Sequence, residues 1–158
     1  MAQHTLSVLV ENSPGVLARV ASLFSRRGYN IDSLAVGPTE NSAISRMTIV
    51  LNLEGHALDQ VSAQLFKLVN VIGIQEMTAD QSRQRELLMV KVKNSSDSRS
   101  AIEAIVARFK GEIVDETKTS LTIEAIGASK DIAALVAELH KFGVKELVQS
   151  GLIALEKG

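Results

Sequence analysis

The sequence has no cysteine and no tryptophan, and only one tyrosine and four phenylalanines. Without cysteine, neither a disulfide nor a thiolate metal site can form, and the chain suits a reducing compartment, with the cytoplasm as the expectation. So few rings leave little from which to build a stacking surface for bases or sugars. An excess of one charge is also missing: 17 basic and 18 acidic side chains are well mixed and the net charge is −1. No field is then available to hold a polyanion, and nucleic acid is not an expected partner. No apolar run approaches the ~18 residues that span a bilayer, and "MAQHTLSVLV" lacks the basic region, apolar core and cleavage site of a secretion signal, so no membrane association is expected.

Catalytic signatures are absent as well. The chain contains no G-x-x-x-x-G-K-[ST], G-x-G-x-x-G or G-x-S-x-G, which removes the defining geometry of phosphate loops, dinucleotide folds and serine hydrolases. His4, His56 and His140 are far apart and have no companions at ligand spacing, so no metal site is expected. The acids and bases of "DSRSAIEAIVARFKGEIVDE" fall at ordinary helix-surface spacing. Nothing assembles a nucleophile, a base and an oxyanion donor, and the expectation is a protein without a catalytic centre or cofactor of its own.

What is present is aliphatic patterning. At 46% hydrophobic over 158 residues the chain can bury a real core, as one ordinary domain or two small ones. Leu6–Val10 reads as a mostly buried strand ending at Glu11. Val16, Leu17, Val20, Leu23 and Phe24 then fall at helical spacing, and Gly28 supplies a left-handed stop. Ile31–Val36 and "ISRMTIVLNL" (44–53) read as a hairpin around "GPTE", with Pro38 marking the first of the pair as an edge strand. Leu58, Val61, Leu65, Leu68 and Val69 mark a second helix and "VIGIQEM" a further strand. The order strand, helix, strand, strand, helix, strand is that of a ferredoxin-like sandwich.

The polar "TADQSRQRE" reads as a linker, after which the order repeats. "LLMVKVK" is a strand. Ile102, Ile105, Val106 and Phe109 mark a helix closed by Gly111, "EIVDET" and "SLTIEAIG" a hairpin, "DIAALVAELHKFG" a helix, and "VKELVQSGLIALE" the last strand. The fold expected is α+β: two βαββαβ sandwiches in tandem, over residues 1–78 and 87–158, joined by 79–86.

The seam between the first strand and helix is "NSPG". Ser13 suits a helix N-cap and Pro14 the first helical position, which is all that a well-capped helix needs. A sharper reading notes that the amides of Gly15, Val16 and Leu17 point out of the helix with the positive end of its dipole behind them, a socket for a small anion such as a carboxylate. Glycine removes the Cβ that would keep a ligand away, and Asn12 can both donate and accept. The second half has "NSSD" at this place, so Asp97 puts a side chain and a negative charge where the first half has neither. If two copies paired along the edge strand, Asn30 and Ile31 of one would face the seam of the other.

Taken together, "LSVLVENSPGVLARVASLFSRRGYNIDSLAVGPTE", "SRMTIVL", "LMVKV", "FKGEIVD" and "SGLIAL" resemble the regulatory (small) subunits of acetolactate synthase, also called acetohydroxyacid synthase, whose first half is an ACT domain. The resemblance implies a non-catalytic partner of a thiamine-diphosphate-dependent catalytic subunit, which also carries Mg and FAD. Such a partner raises the activity of that subunit and confers feedback inhibition by valine in branched-chain amino-acid biosynthesis. It further implies a homodimer of ACT domains with the effector between them, held by Asn12, Ser13, Gly15, Val16 and Leu17 on one side and Asn30, Ile31 and Val36 on the other. The alternative is a free-standing amino-acid-sensing ACT protein that controls another enzyme or a transcription factor.

Overall fold

The computed structural model describes residues 2–158, which form two compact units; one runs through Arg83 and takes in Gly151–Gly158, the other is Gln84–Ser150. In the first, β1 (Ala2–Glu11), α1 (Val16–Arg27), β2 (Ile31–Pro38), β3 (Ile44–Leu53), α2 (Ala57–Phe66) and β4 (Val71–Glu76) build an antiparallel sheet of order β2-β3-β1-β4. The 3.6-residue period of α1 puts Val16, Val20, Leu23 and Phe24 on one face. They bury themselves with Val61 and Leu65 of α2 on Leu6, Val8 and Val10 of β1 and Met47, Ile49 and Leu51 of β3. Each such side chain contributes about 1.5–3 kcal/mol by leaving water. α1 stops at Gly28, whose φ of 74° lets Tyr29 N–H turn back to Phe24 O at 3.1 Å. β2 is an edge strand, as Pro38 at its end implies.

The second unit repeats the plan. β5 (Ser82–Lys93), α3 (Arg99–Arg108), β6 (Glu112–Glu116), β7 (Ser120–Gly127), α4 (Ser129–Leu139) and β8 (Val144–Gln149) give the order β6-β7-β5-β8. Its core is Leu88, Val90 and Val92 with Ile102, Ile105, Leu121, Ile123, Ile132, Leu135 and Leu139. The fold is thus two tandem βαββαβ units, ACT-like in topology.

The structure corrects several local expectations. The polar segment read as linker is strand from Ser82 onward, because backbone pairing needs no apolar period. The last expected strand is two: after β8 the chain breaks at 150–152 and continues as β9 (Ile153–Glu156). The chain's end belongs to the first unit, where Leu152 is buried and its N–H donates to Ser33 Oγ at 2.8 Å. Gly151 is required there, since a Cβ would lie 2.2 Å from Leu34 O. α2 ends before Val69, which is 85% exposed. Gly111 does not close α3: Lys110 takes the left-handed turn at φ 58°, and Gly111 is there because a Cβ would come within 2.8 Å of Glu124 O.

Candidate functional site at the β1–α1 seam

β1 ends at Glu11, and Glu11 and Asn12 are fastened to residues remote in the chain. Glu11 N–H donates to Asn70 O at 2.9 Å, Asn12 N–H to Ala43 O at 2.8 Å, and Asn12 Nδ2 to Ser42 O at 3.0 Å. Ser13 N–H folds back to Glu11 O at 3.0 Å, and Pro14 has no N–H to place. With its ends fixed this way, the chain enters α1 through Gly15 at φ 84°, a conformation costing an L side chain roughly 1–2 kcal/mol.

Gly15, not Ser13, is therefore the N-cap residue, and Pro14 lies outside the helix; no side chain caps the first turn, and no acidic residue stands in it. The N–H groups of Val16 and Leu17 begin the helix without intrahelical acceptors, and the dipole behind them is unopposed. Nothing lies within 4 Å of where a Gly15 Cβ would be, so the approach to these amides is open. The arrangement can accept a carboxylate. Asn12, Ser13 and Gly15 are exposed; the Val16 side chain is in the core, so only its amide faces the seam, while Leu17 is 46% exposed and offers an apolar surface beside it.

The other expected residues lie elsewhere in the unit. Asn30 and Ile31 begin β2 beyond the C-terminus of α1, and a helix of 12 residues separates them from the seam by about 18 Å. Asn30 Nδ2 donates to Asp32 Oδ1 at 3.0 Å, Asn52 Nδ2 donates to the same carboxylate, and these three residues share a cavity of about 450 Å³ with Tyr29, Glu54 and Ala57. Val36, 47% exposed, lies nearer the seam, on the rung Val36–Met47–Val8, but with β3 between it and β1. One chain therefore brings Asn12–Leu17 together and keeps Asn30 and Ile31 apart from them.

Sequence reasoning missed Asn70. It is 9% exposed and fully engaged: its Oδ1 accepts from Arg19 Nη1 at 2.5 Å, its Nδ2 donates to Glu11 Oε2 at 3.0 Å, and its carbonyl takes the Glu11 amide. The only signal was one amide inside the apolar run "LVNVIGI".

The chain matches the family model "AHAS small subunit-like ACT domain" over residues 6–73 and "Small subunit of acetolactate synthase" over 85–158. It is 53% identical over 155 residues to an acetolactate synthase small subunit of Mycobacterium leprae, covering 98% of this chain and 92% of the relative. To a probable acetolactate synthase small subunit of Archaeoglobus fulgidus it is 42% identical over 156 residues, covering 99% and 98%. The crystal structure of acetolactate synthase small subunit from Thermotoga maritima superimposes with a TM-score of 0.92 at 32% identity, covering 100% of this chain and 99% of that one.

Proposed function

Because the chain belongs to the acetolactate synthase small-subunit family, we propose that it is a regulatory subunit without a catalytic centre, which activates the thiamine-diphosphate-dependent catalytic subunit and makes it sensitive to valine. The thiamine diphosphate, Mg and FAD of that assembly belong to the catalytic subunit. Among the described residues no group of three His, Asp or Glu is placed to hold a metal ion, and no helix is long and apolar enough to cross a membrane. The assembly works in the cytoplasm.

The single observation that carries the effector reading is the entry of α1 through Gly15 in the left-handed region: the other α-helices also lack side-chain caps, but only here does the N-cap residue present no side chain in front of the first amides. A free amino acid brings a carboxylate to the Val16 and Leu17 amides and an ammonium to Asn12 Oδ1, and lays its branched side chain against Leu17. Its outer wall comes from a second copy. β2 has a strand neighbour, β3, on one side only, so two first units pair edge to edge, and Asn30, Ile31 and Val36 of one copy close the seam of the other. Valine then acts by population shift: it binds one arrangement of the paired units better than another, and a coupling of about 1–3 kcal/mol to the remote catalytic centre is enough.

The test is reconstitution with the catalytic subunit of the same organism. Activity rises when the chain is added and falls again as valine is titrated, with isoleucine and leucine run alongside to rank the three. An unchanged catalytic subunit overturns the reading in favour of a free-standing amino-acid sensor.

A further inference from the structure

Arg19 N–H donates to Gly15 O at 3.1 Å, so Arg19 stands one turn along α1 from the seam glycine. Helical side chains lean toward the N-terminus of their helix, which brings the Arg19 side chain back over the open first turn. Its Nη1 is bonded to Asn70 Oδ1, and a guanidinium has further donors to spare. Asn70 cannot itself serve a ligand through its side chain, since both ends of its amide are taken. What it does is stand between opposite charges: Glu11 on its Nδ2 and Arg19 on its Oδ1. Arg19 forms no ion pair among the described residues, so the positive charge beside the seam is held in place without being neutralised.

The second unit supplies the control. At the offset that carries Leu6 onto Leu88, Glu11, Gly15 and Arg19 become Lys93, Asp97 and Ala101. The backbone bond survives, Lys93 N–H to Gly143 O at 3.0 Å, but where Asn70 stood there is a glycine. Acid, amide and guanidinium are lost together with the seam glycine, while the fold remains. The fold therefore does not need this side-chain relay.

We propose that Arg19, oriented by Asn70, is a carboxylate-binding residue of the amino-acid site, and that Asn70 is its positioning residue. The inference rests on the effector reading above. It is tested by calorimetric titration of L-valine into the full chain and into Arg19→Ala, Asn70→Ala and the double variant, with thermal melts of each. Removing a charged hydrogen bond from a bound carboxylate weakens affinity by about tenfold. Each single variant shows that loss, and the double variant is no weaker than the worse single, because the two residues act as a unit. Single variants that bind within twofold of wild type overturn the proposal, as does an Asn70→Ala chain that melts earlier yet binds valine normally. A double variant whose loss is the product of the two also overturns it. Arg19 is exposed, so Arg19→Ala with Arg19→Lys decides the matter if Asn70→Ala fails to fold; lysine keeps the charge and loses the fork, and binds between alanine and wild type. Wild type that binds no valine, isoleucine or leucine overturns the effector reading and this inference together; wild-type binding with unaffected variants overturns this inference alone.

Discussion

At the end of β1, Asn12 ties its amide to Ser42 O and its backbone N–H to Ala43 O; at the end of β5, Asn94 ties its amide to Thr117 O and its backbone N–H to Thr119 O. Each asparagine thus fastens the strand end to the hairpin turn beside it, and this much is shared scaffolding. Beyond it the seams diverge. Neither helix has a side-chain cap, but the first unit enters its helix through Gly15 in the left-handed region, while the second enters through Ser98 at φ −101°, with Asp97 just before it. Arg99 opens the second helix and is bound to Glu103 and Glu116, both at 2.7 Å, bonds that hold its guanidinium protonated beyond its ordinary range, Glu116 above all. Among the described residues the first unit leaves its nearby arginine without a carboxylate partner; the second pairs its own with two. A fold used twice carries a bare glycine beside an unpaired arginine at one seam, and an aspartate beside a paired arginine at the other.

The sharpest way to break that contrast is Gly15→Asp, which gives the first seam the residue of the second. The aspartate meets an unfavourable φ and puts a negative charge in front of the Val16 and Leu17 amides. Valine inhibition of the reconstituted enzyme is abolished and activation by the chain is retained, read as two separate rates. Retained valine sensitivity would move the effector away from the seam.

A smaller effect is expected at the far end of α1. Asn30→Ala removes the expected outer wall of a partner's site and releases Asp32, which still accepts from Asn52. Valine affinity drops several-fold by calorimetry, about 1 kcal/mol, with the dimer intact. Unchanged affinity would confine the site to one chain and break the edge-to-edge arrangement.

Most of the scaffold was legible in the sequence because local period dictates it. Alternation in "ISRMTIVLNL" gives β3 over its full length, and the stop at Gly28 is where left-handed chemistry allows it. The seam was legible as a glycine-bearing helix start, but not in its details. Whether Ser13 or Gly15 caps α1 is decided by Asn70 and by the 42–43 turn, residues remote in the chain that grip Glu11 and Asn12. Asn70 was illegible for the same reason: its partners lie on β1 and α1, and a lone polar residue in an apolar run carries no period. The strand start at Ser82 was hidden because its stabilisation is backbone pairing, to which polar side chains give no clue.

The finest comparison is between the two asparagines. Asn12→Ala and Asn94→Ala each delete one side-chain bond to an exposed turn carbonyl, so each lowers stability by about 1 kcal/mol in denaturant unfolding. If Asn12 were only a fastener, the two variants would be equivalent in every other respect. Its Oδ1 accepts no hydrogen bond among the described residues and so stays free for an ammonium group, whereas the seam beside Asn94 carries Asp97, whose charge opposes a carboxylate, in place of the glycine. Asn12→Ala therefore costs valine affinity a few-fold and Asn94→Ala costs none. Equal valine affinity in the two variants would assign Asn12 to the scaffold and leave recognition to the backbone of α1 and to Arg19.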